Sequence, residues 1–184
     1  MSRQRPQGFL RWRLAYLSAA FAVYMADQAS KAWAVQRLKT GEVVRVFDGL
    51  VHLSYAENPG IAFGQLQEGG QFGRWMLAAL AALAVVGLLL YFFRTKRTDD
   101  RLLGAIALLL AGVAGNLTDR IRLGHVIDFV DVFLGSYQWP TFNIADAAIC
   151  TGAALLALDL ILEGRREARE AKGKGGAEAA TGGG

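Results

Sequence analysis

The chain has 184 residues, is 53% apolar and 20% charged, and carries a formal net charge of +4. Its apolar residues fall in long blocks separated by basic clusters, which is the distribution of an integral membrane protein and not of a soluble domain. The single cysteine, Cys150, excludes an internal disulfide and any cysteine-based metal cluster.

In chain order, the first block runs from Leu14 to Val35 and is long enough to span a bilayer, although Asp27 and Lys31 interrupt it. No small-residue cleavage site followed by polar sequence ends it, so an uncleaved span is expected. Next, EVVRVF and LVHLSY are β-branched and aromatic stretches joined by Asp48-Gly49, a short-range hairpin signal. They predict a small extracytoplasmic β element over about residues 42–65. The ENPGIAFG that follows has Asn-Pro-Gly turn chemistry, then an apolar pair suited to dipping into the interface.

From Trp75 to Phe93 runs an uncharged stretch, WMLAALAALAVVGLLLYFF, about 28 Å long as a helix. Leu102 to Leu117 predicts a third span and Ile144 to Leu162 a fourth, with Asp146 and Asp159 near the ends of the last. Between these two, residues 118–141 read as an outer segment. Tyr137 and Trp139 suit an interfacial belt there, and Pro140 suits a helix entrance. Cys150 lies among small residues and is expected to be buried in a packing role. Residues 164–184 are charged and then Gly/Ala-rich, which predicts a disordered cytoplasmic tail. The expected fold is thus an all-α membrane protein: four transmembrane helices with a small β-sheet element, forming one domain over 1–163.

Placement of the basic residues sets the expected orientation. Arg3, Arg5, Arg11 and Arg13 precede span one; Arg94, Lys96, Arg97 and Arg101 separate spans two and three; Arg165, Arg166, Arg169, Lys172 and Lys174 follow span four. Four spans put all three clusters on one side, so both termini are expected in the cytoplasm. Topology and lipid headgroup contact account for these charges better than nucleic acid does.

Charges within the hydrocarbon layer are costly and need a partner or a task. Asp27, Asp119, Asp128 and Asp146 all fall, by helix rise and topology, near the outer boundary. Asp27 and Lys31 have the i, i+4 spacing of a helical ion pair, and Asp119-Arg120 suits interfacial pairing. Asp128 and Asp146 lack a basic residue at i±3 or i±4, apart from His125 three before Asp128. Taken alone, Asp146 fits a helix N-terminal acid and Asp128 a solvated loop acid. Equally, two such carboxylates brought together can share a proton and act as acid and base on one water. The sequence has no HExxH, and its two histidines, His52 and His125, are far apart; it has no GxSxG. No cofactor is expected.

Four motifs occur together: DQASK (Asp27 to Lys31), NPGIAF (Asn58 to Phe63), GNLTDRIRLGHVIDF (Gly115 to Phe129) and FNIADAAI (Phe142 to Ile149). In order and position they closely resemble those of the bacterial lipoprotein signal peptidases, over nearly the whole length from span one to span four. The resemblance implies an aspartic endopeptidase of the bacterial inner membrane that cleaves prolipoproteins before a diacylglyceryl-modified cysteine. It implies Asp128 and Asp146 as the catalytic dyad. It further implies Asn116, Arg120 and Asn143 around substrate and dyad, and Asp27, Lys31, Asn58 and Asp119 in support. The outer hairpin then corresponds to the family's β-cradle, and GIAF to a loop closing over the substrate near the periplasmic face. Prolipoproteins and membrane lipids are the expected partners, nucleic acid is not, and a monomer is expected. Two other classes compete: a proton-coupled carrier, which predicts polar residues through the whole bundle, and a docking protein that uses the hairpin edge.

Overall fold

The computed structural model describes residues 8–60, 70–96 and 99–181. Its elements are α1 (Gly8–Leu38), β1 (Val44–Phe47), β2 (Val51–Asn58), α2 (Gly70–Arg94), α3 (Asp100–Arg122), β3 (Val126–Leu134), β4 (Tyr137–Phe142) and α4 (Ile144–Thr181). Residues 61–63 of the GIAF stretch lie outside the described residues, as does the end of the β element expected over 42–65.

Among the described residues, three helices are long and apolar enough to cross a membrane: 71–94, 100–122 and 144–166. The sequence-based expectation of four is corrected on this criterion, because α1 dilutes its apolar residues with Asp27, Gln28, Ser30 and Lys31. Helix α3 is the central strut. Phe92 of α2 packs with Leu102, Leu103, Ile106 and Leu110 of α3, while Ala20 of α1 packs with Ala107 and Ala111. Where hydrocarbon surrounds a helix, close backbone approach replaces hydrophobic drive, and small residues permit it. A Cβ on Gly112 would lie 2.3 Å from the Ala145 carbonyl oxygen, and one on Gly115 would lie 2.6 Å from Asp27 Oδ2. These two glycines, one turn apart, let α4 and α1 close on α3 at one level.

The β element is larger than predicted. Four antiparallel strands form one sheet in chain order. The first hairpin turns at Asp48-Gly49 as expected, with Gly49 at φ 71°. The second hairpin, β3 and β4 around Gly135-Ser136, occupies the stretch read as an outer loop, and Pro140 sits within edge strand β4 instead of at a helix entrance. The sheet rests on the end of α1 through Ala34, Leu38, Ile127 and Phe129. Strand alternation that sends Ile127 and Phe129 into this cluster sends Asp128 to the opposite face.

Two further expectations are corrected. Cys150 is exposed on the surface of α4. Helix α4 also runs on to Thr181, where a disordered tail was expected. EGRREAREAK supplies strong helix formers there, and α4 simply continues through them.

Candidate active site

Asn143 organises the site. It is the residue before α4, is fully buried, and makes a reciprocal cap with Asp146. Its Oδ1 accepts from the Asp146 N–H at 2.8 Å, and its own N–H donates to Asp146 Oδ2 at 3.3 Å. This is the capping-box geometry, with Asn and Asp in place of Ser/Thr and Glu. The acid at the start of a membrane helix therefore has a local cause, and its carboxylate is held at a defined angle. The Ala145 N–H, also of the first turn, donates to Asp27 Oδ1 at 2.9 Å. Helix α1 thus helps cap α4.

The same asparagine reaches the other acid. Asn143 Nδ2 donates to Asp128 Oδ1 at 2.6 Å and lies 3.2 Å from the Ile127 carbonyl and 3.3 Å from Asn116 Oδ1. Asp128 Oδ2 accepts from Asn58 Nδ2 at 2.9 Å. Strand register explains this contact: Ala56 pairs with Asp128 and Asn58 with Val126, so Asn58 is the diagonal neighbour of the carboxylate. Asp146 Oδ1 accepts from Asn116 Nδ2 at 2.7 Å. Asp128 is 2% exposed. Burial pushes its carboxyl above the usual carboxylate range, and the nearby Asp146 charge adds to that, while the amides of Asn58 and Asn143 oppose it.

Beneath the two acids lies an ionic cluster. Lys31 Nζ is 2.9 Å from Asp27 Oδ2 and 2.8 Å from Asp119 Oδ2, and it donates to Asn116 Oδ1 at 3.0 Å. Its three donors are matched by three acceptors. By occupying Asn116 Oδ1, Lys31 orients the amide so that Nδ2 faces Asp146. Asp119 pairs with Lys31 and not with its neighbour Arg120, and it also receives the Ile127 N–H at 3.3 Å, which ties β3 to α3. Arg120 donates to the Asn116 carbonyl at 3.3 Å, and its Nη2 would lie 3.3 Å from a Cβ on Gly60. Its buried Nε has no partner among the described residues.

All nine candidate residues thus meet in one network. Sequence reasoning passed over Gln28, whose amide bridges Asp27 at 3.2 Å, the Gly115 carbonyl at 3.3 Å and Asp119 at 3.1 Å. Its position inside DQASK was the available signal. His125 stays at the rim, 3.6 Å from Glu57, and the buried Asp131 forms a separate cluster with Ser54, Thr141 and Gln138. Chemically, two carboxylates linked through Asn143, the buried one inclined to hold a proton, can supply a base and an acid to a common water.

Comparison with known proteins agrees in extent. A family model described as signal peptidase (SPase) II matches residues 19–162. The lipoprotein signal peptidase of Geobacter sulfurreducens is 43% identical over 143 residues, spanning 77% of this chain and 88% of the relative. That of Syntrophus aciditrophicus is 40% identical over 147 residues, spanning 79% and 91%. Among solved structures, a bacterial membrane enzyme determined by the in meso method at 2.3 Å resolution superposes with a TM-score of 0.71 at 27% identity, covering 84% of this chain and 90% of that one.

Proposed function

The chain belongs to the signal peptidase II family, membrane proteases that remove signal peptides from prolipoproteins, and from that premise we propose an aspartic mechanism in which Asp128 and Asp146 activate one water. The observation that carries the proposal is Asn143. It donates to Asp128 through its side chain and to Asp146 through its backbone, so one residue sets the relation between the two acids. Asp128, held above the usual carboxylate range, carries the shared proton. Asp146 takes a proton from the water as its oxygen attacks the scissile carbonyl. Asp128 gives its proton to the carbonyl oxygen, forming a gem-diol; this collapses as Asp146 passes the water's proton to the leaving nitrogen and a diol hydroxyl returns a proton to Asp128, leaving the new carboxyl group. Neither a metal nor a covalent enzyme intermediate is needed. Arg120 and Asn58 flank the pair and hold the substrate backbone, whose polar groups need partners at this depth.

The bond cut is the one before a diacylglyceryl-modified cysteine. Each buried CH₂ favours the bilayer by about 0.8 kcal/mol, so the lipid stays in the membrane and the enzyme must work at its surface. In this reading α1 crosses alongside the other three helices. Its charges Arg13, Asp27 and Lys31 are buried against its neighbours, while Trp12, Phe21, Met25 and Trp33 are exposed. The two tryptophans are about 31 Å apart along the helix, the thickness of a hydrocarbon core with an aromatic at each edge. Both termini then face the cytoplasm, the sheet and the dyad lie at the outer face, and the enzyme acts as a monomer among membrane lipids.

The test uses purified protein in detergent with a lipidated and a non-lipidated precursor. Cleavage is expected of the first alone. Asp128→Asn and Asp146→Asn are each expected to lower it by about 10²–10⁴-fold, with helix content retained. Full activity in either variant would remove that residue from the dyad.

A further inference from the structure

We propose that α4 carries a second, non-catalytic ligand site: an anionic phospholipid docks at its end remote from Asp146, with the phosphate on Arg165 and Arg169 and an acyl chain along Leu158, Ile161 and Leu162. A surface pocket of about 280 Å³ there is lined by Leu162, Arg165, Arg166 and Arg169. The inference does not depend on the proposed chemistry, since the arginines lie beyond residue 162, where the family match ends.

The two faces of α4 explain why this pocket suits a lipid. One row, at positions 152, 156, 159 and 163, recurs every three or four residues and so occupies one side of the helix. That side meets α3. A Cβ on Gly152 would lie 2.9 Å from the Ala105 carbonyl oxygen, Leu156 packs on the α2–α3 core, and buried Asp159 lies 3.7 Å from Arg101. Glu163 continues this protein-facing row, and Arg166 follows it one turn on. Arg165 and Arg169 continue the opposite row, which holds exposed Leu158 and Ile161 and half-buried Leu162. An apolar track therefore ends in guanidinium groups on one side of one helix.

Depth agrees with this. The apolar span of α4 ends at Arg166, so Arg165 and Arg169 stand where hydrocarbon gives way to headgroups. Arg165 and Arg169 are i, i+4 neighbours, spaced to fork one phosphate from two sides. A free anion would use only the arginines; the adjoining apolar track commits the site to a phospholipid.

The experiment is native mass spectrometry of the full chain, released from micelles doped with phosphatidylglycerol, with phosphatidylcholine, or with inorganic phosphate. The wild-type protein is expected to retain phosphatidylglycerol about tenfold or more over phosphatidylcholine. The Arg165→Gln/Arg169→Gln variant should lose that preference, and Arg45→Gln, on the exposed edge of the sheet, should keep it. Equal retention of the two lipids, a preference that survives the double substitution, or displacement of phosphatidylglycerol by inorganic phosphate would each overturn the proposal. Cleavage of the lipidated precursor in phosphatidylcholine should be unchanged in the double variant, so the fate of this site and that of the dyad are read separately.

Discussion

Two pairs of carboxylates lie within one network, and they are held differently. Asp27 and Asp119 each touch the Lys31 ammonium within 3 Å. Asp128 and Asp146 touch only amides: Asn58, Asn116 and Asn143. A cation in contact ties a carboxylate into an ion pair, and the group becomes part of the scaffold. An amide donor supports a carboxylate while leaving room for a proton on either member of a pair. The difference between scaffold and chemistry here is the difference between ammonium and amide partners.

Breaking the scaffold should cost the most stability. Lys31→Met leaves Asp27 and Asp119 buried without their cation and is expected to destabilise the protein by about 3–5 kcal/mol, read as a lowered unfolding midpoint in detergent. Asp128→Asn, by contrast, should leave that midpoint nearly unchanged, because the amide resembles the protonated acid in shape. A large drop for Asp128→Asn would erase the contrast. Asn143→Ala is expected next: it removes the cap of α4, at about 1 kcal/mol, and it also unlinks the two acids. Cleavage should therefore fall much further than stability, a split visible by comparing turnover with the melt.

A subtler test uses pH. Removing the Asn58 amide takes away a hydrogen bond that lowers the Asp128 value, so in Asn58→Ala that value rises further. In the proposed mechanism activity needs Asp128 protonated and falls as pH rises through its value; the alkaline limb of the pH profile should accordingly move upward, and a downward move would contradict the assignment. The smallest effect is expected at the rim. The hydrogen bond from Tyr55 and then that from Lys39 hold Glu57 below the usual carboxylate range. A depressed acid contributes stability above its unfolded value, lost as pH falls through the folded one. The groups are exposed, so Glu57→Gln should leave the unfolding midpoint within error at neutral pH.

The sequence carried most of the site but less of the scaffold that aims it. Asp27, Asp119, Asp128 and Asp146 stood out because charge in an apolar run is conspicuous, and their motifs resembled one family. The strand character of 126–142 escaped because VIDFVDVFL mixes a helix-boundary context with only partial alternation, and Pro140 argued against a strand. An edge strand tolerates that proline, since the N–H that proline lacks is not needed by a neighbour there. The Asn143–Asp146 cap was legible in principle as N-x-x-D before an apolar run, yet the acid drew attention first as a charge. The role of Gly112 and Gly115 was hidden, because the close approach they permit exists only once α1 and α4 have docked on α3.

The capped start of α4 has a mechanical consequence. Asp146 is bolted to the first turn of a helix whose apolar length is set by sequence, with a rigid body of about 30 Å beneath it. In the proposed mechanism the reacting water reaches Asp146 from the aqueous side, so the bilayer's own thickness becomes a variable of the reaction. In a thicker membrane the helix cannot lengthen; the carboxylate sinks, or the surrounding lipid thins to meet it. Turnover should then report hydrophobic mismatch, with the enzyme working fastest in lipids whose acyl length matches α4.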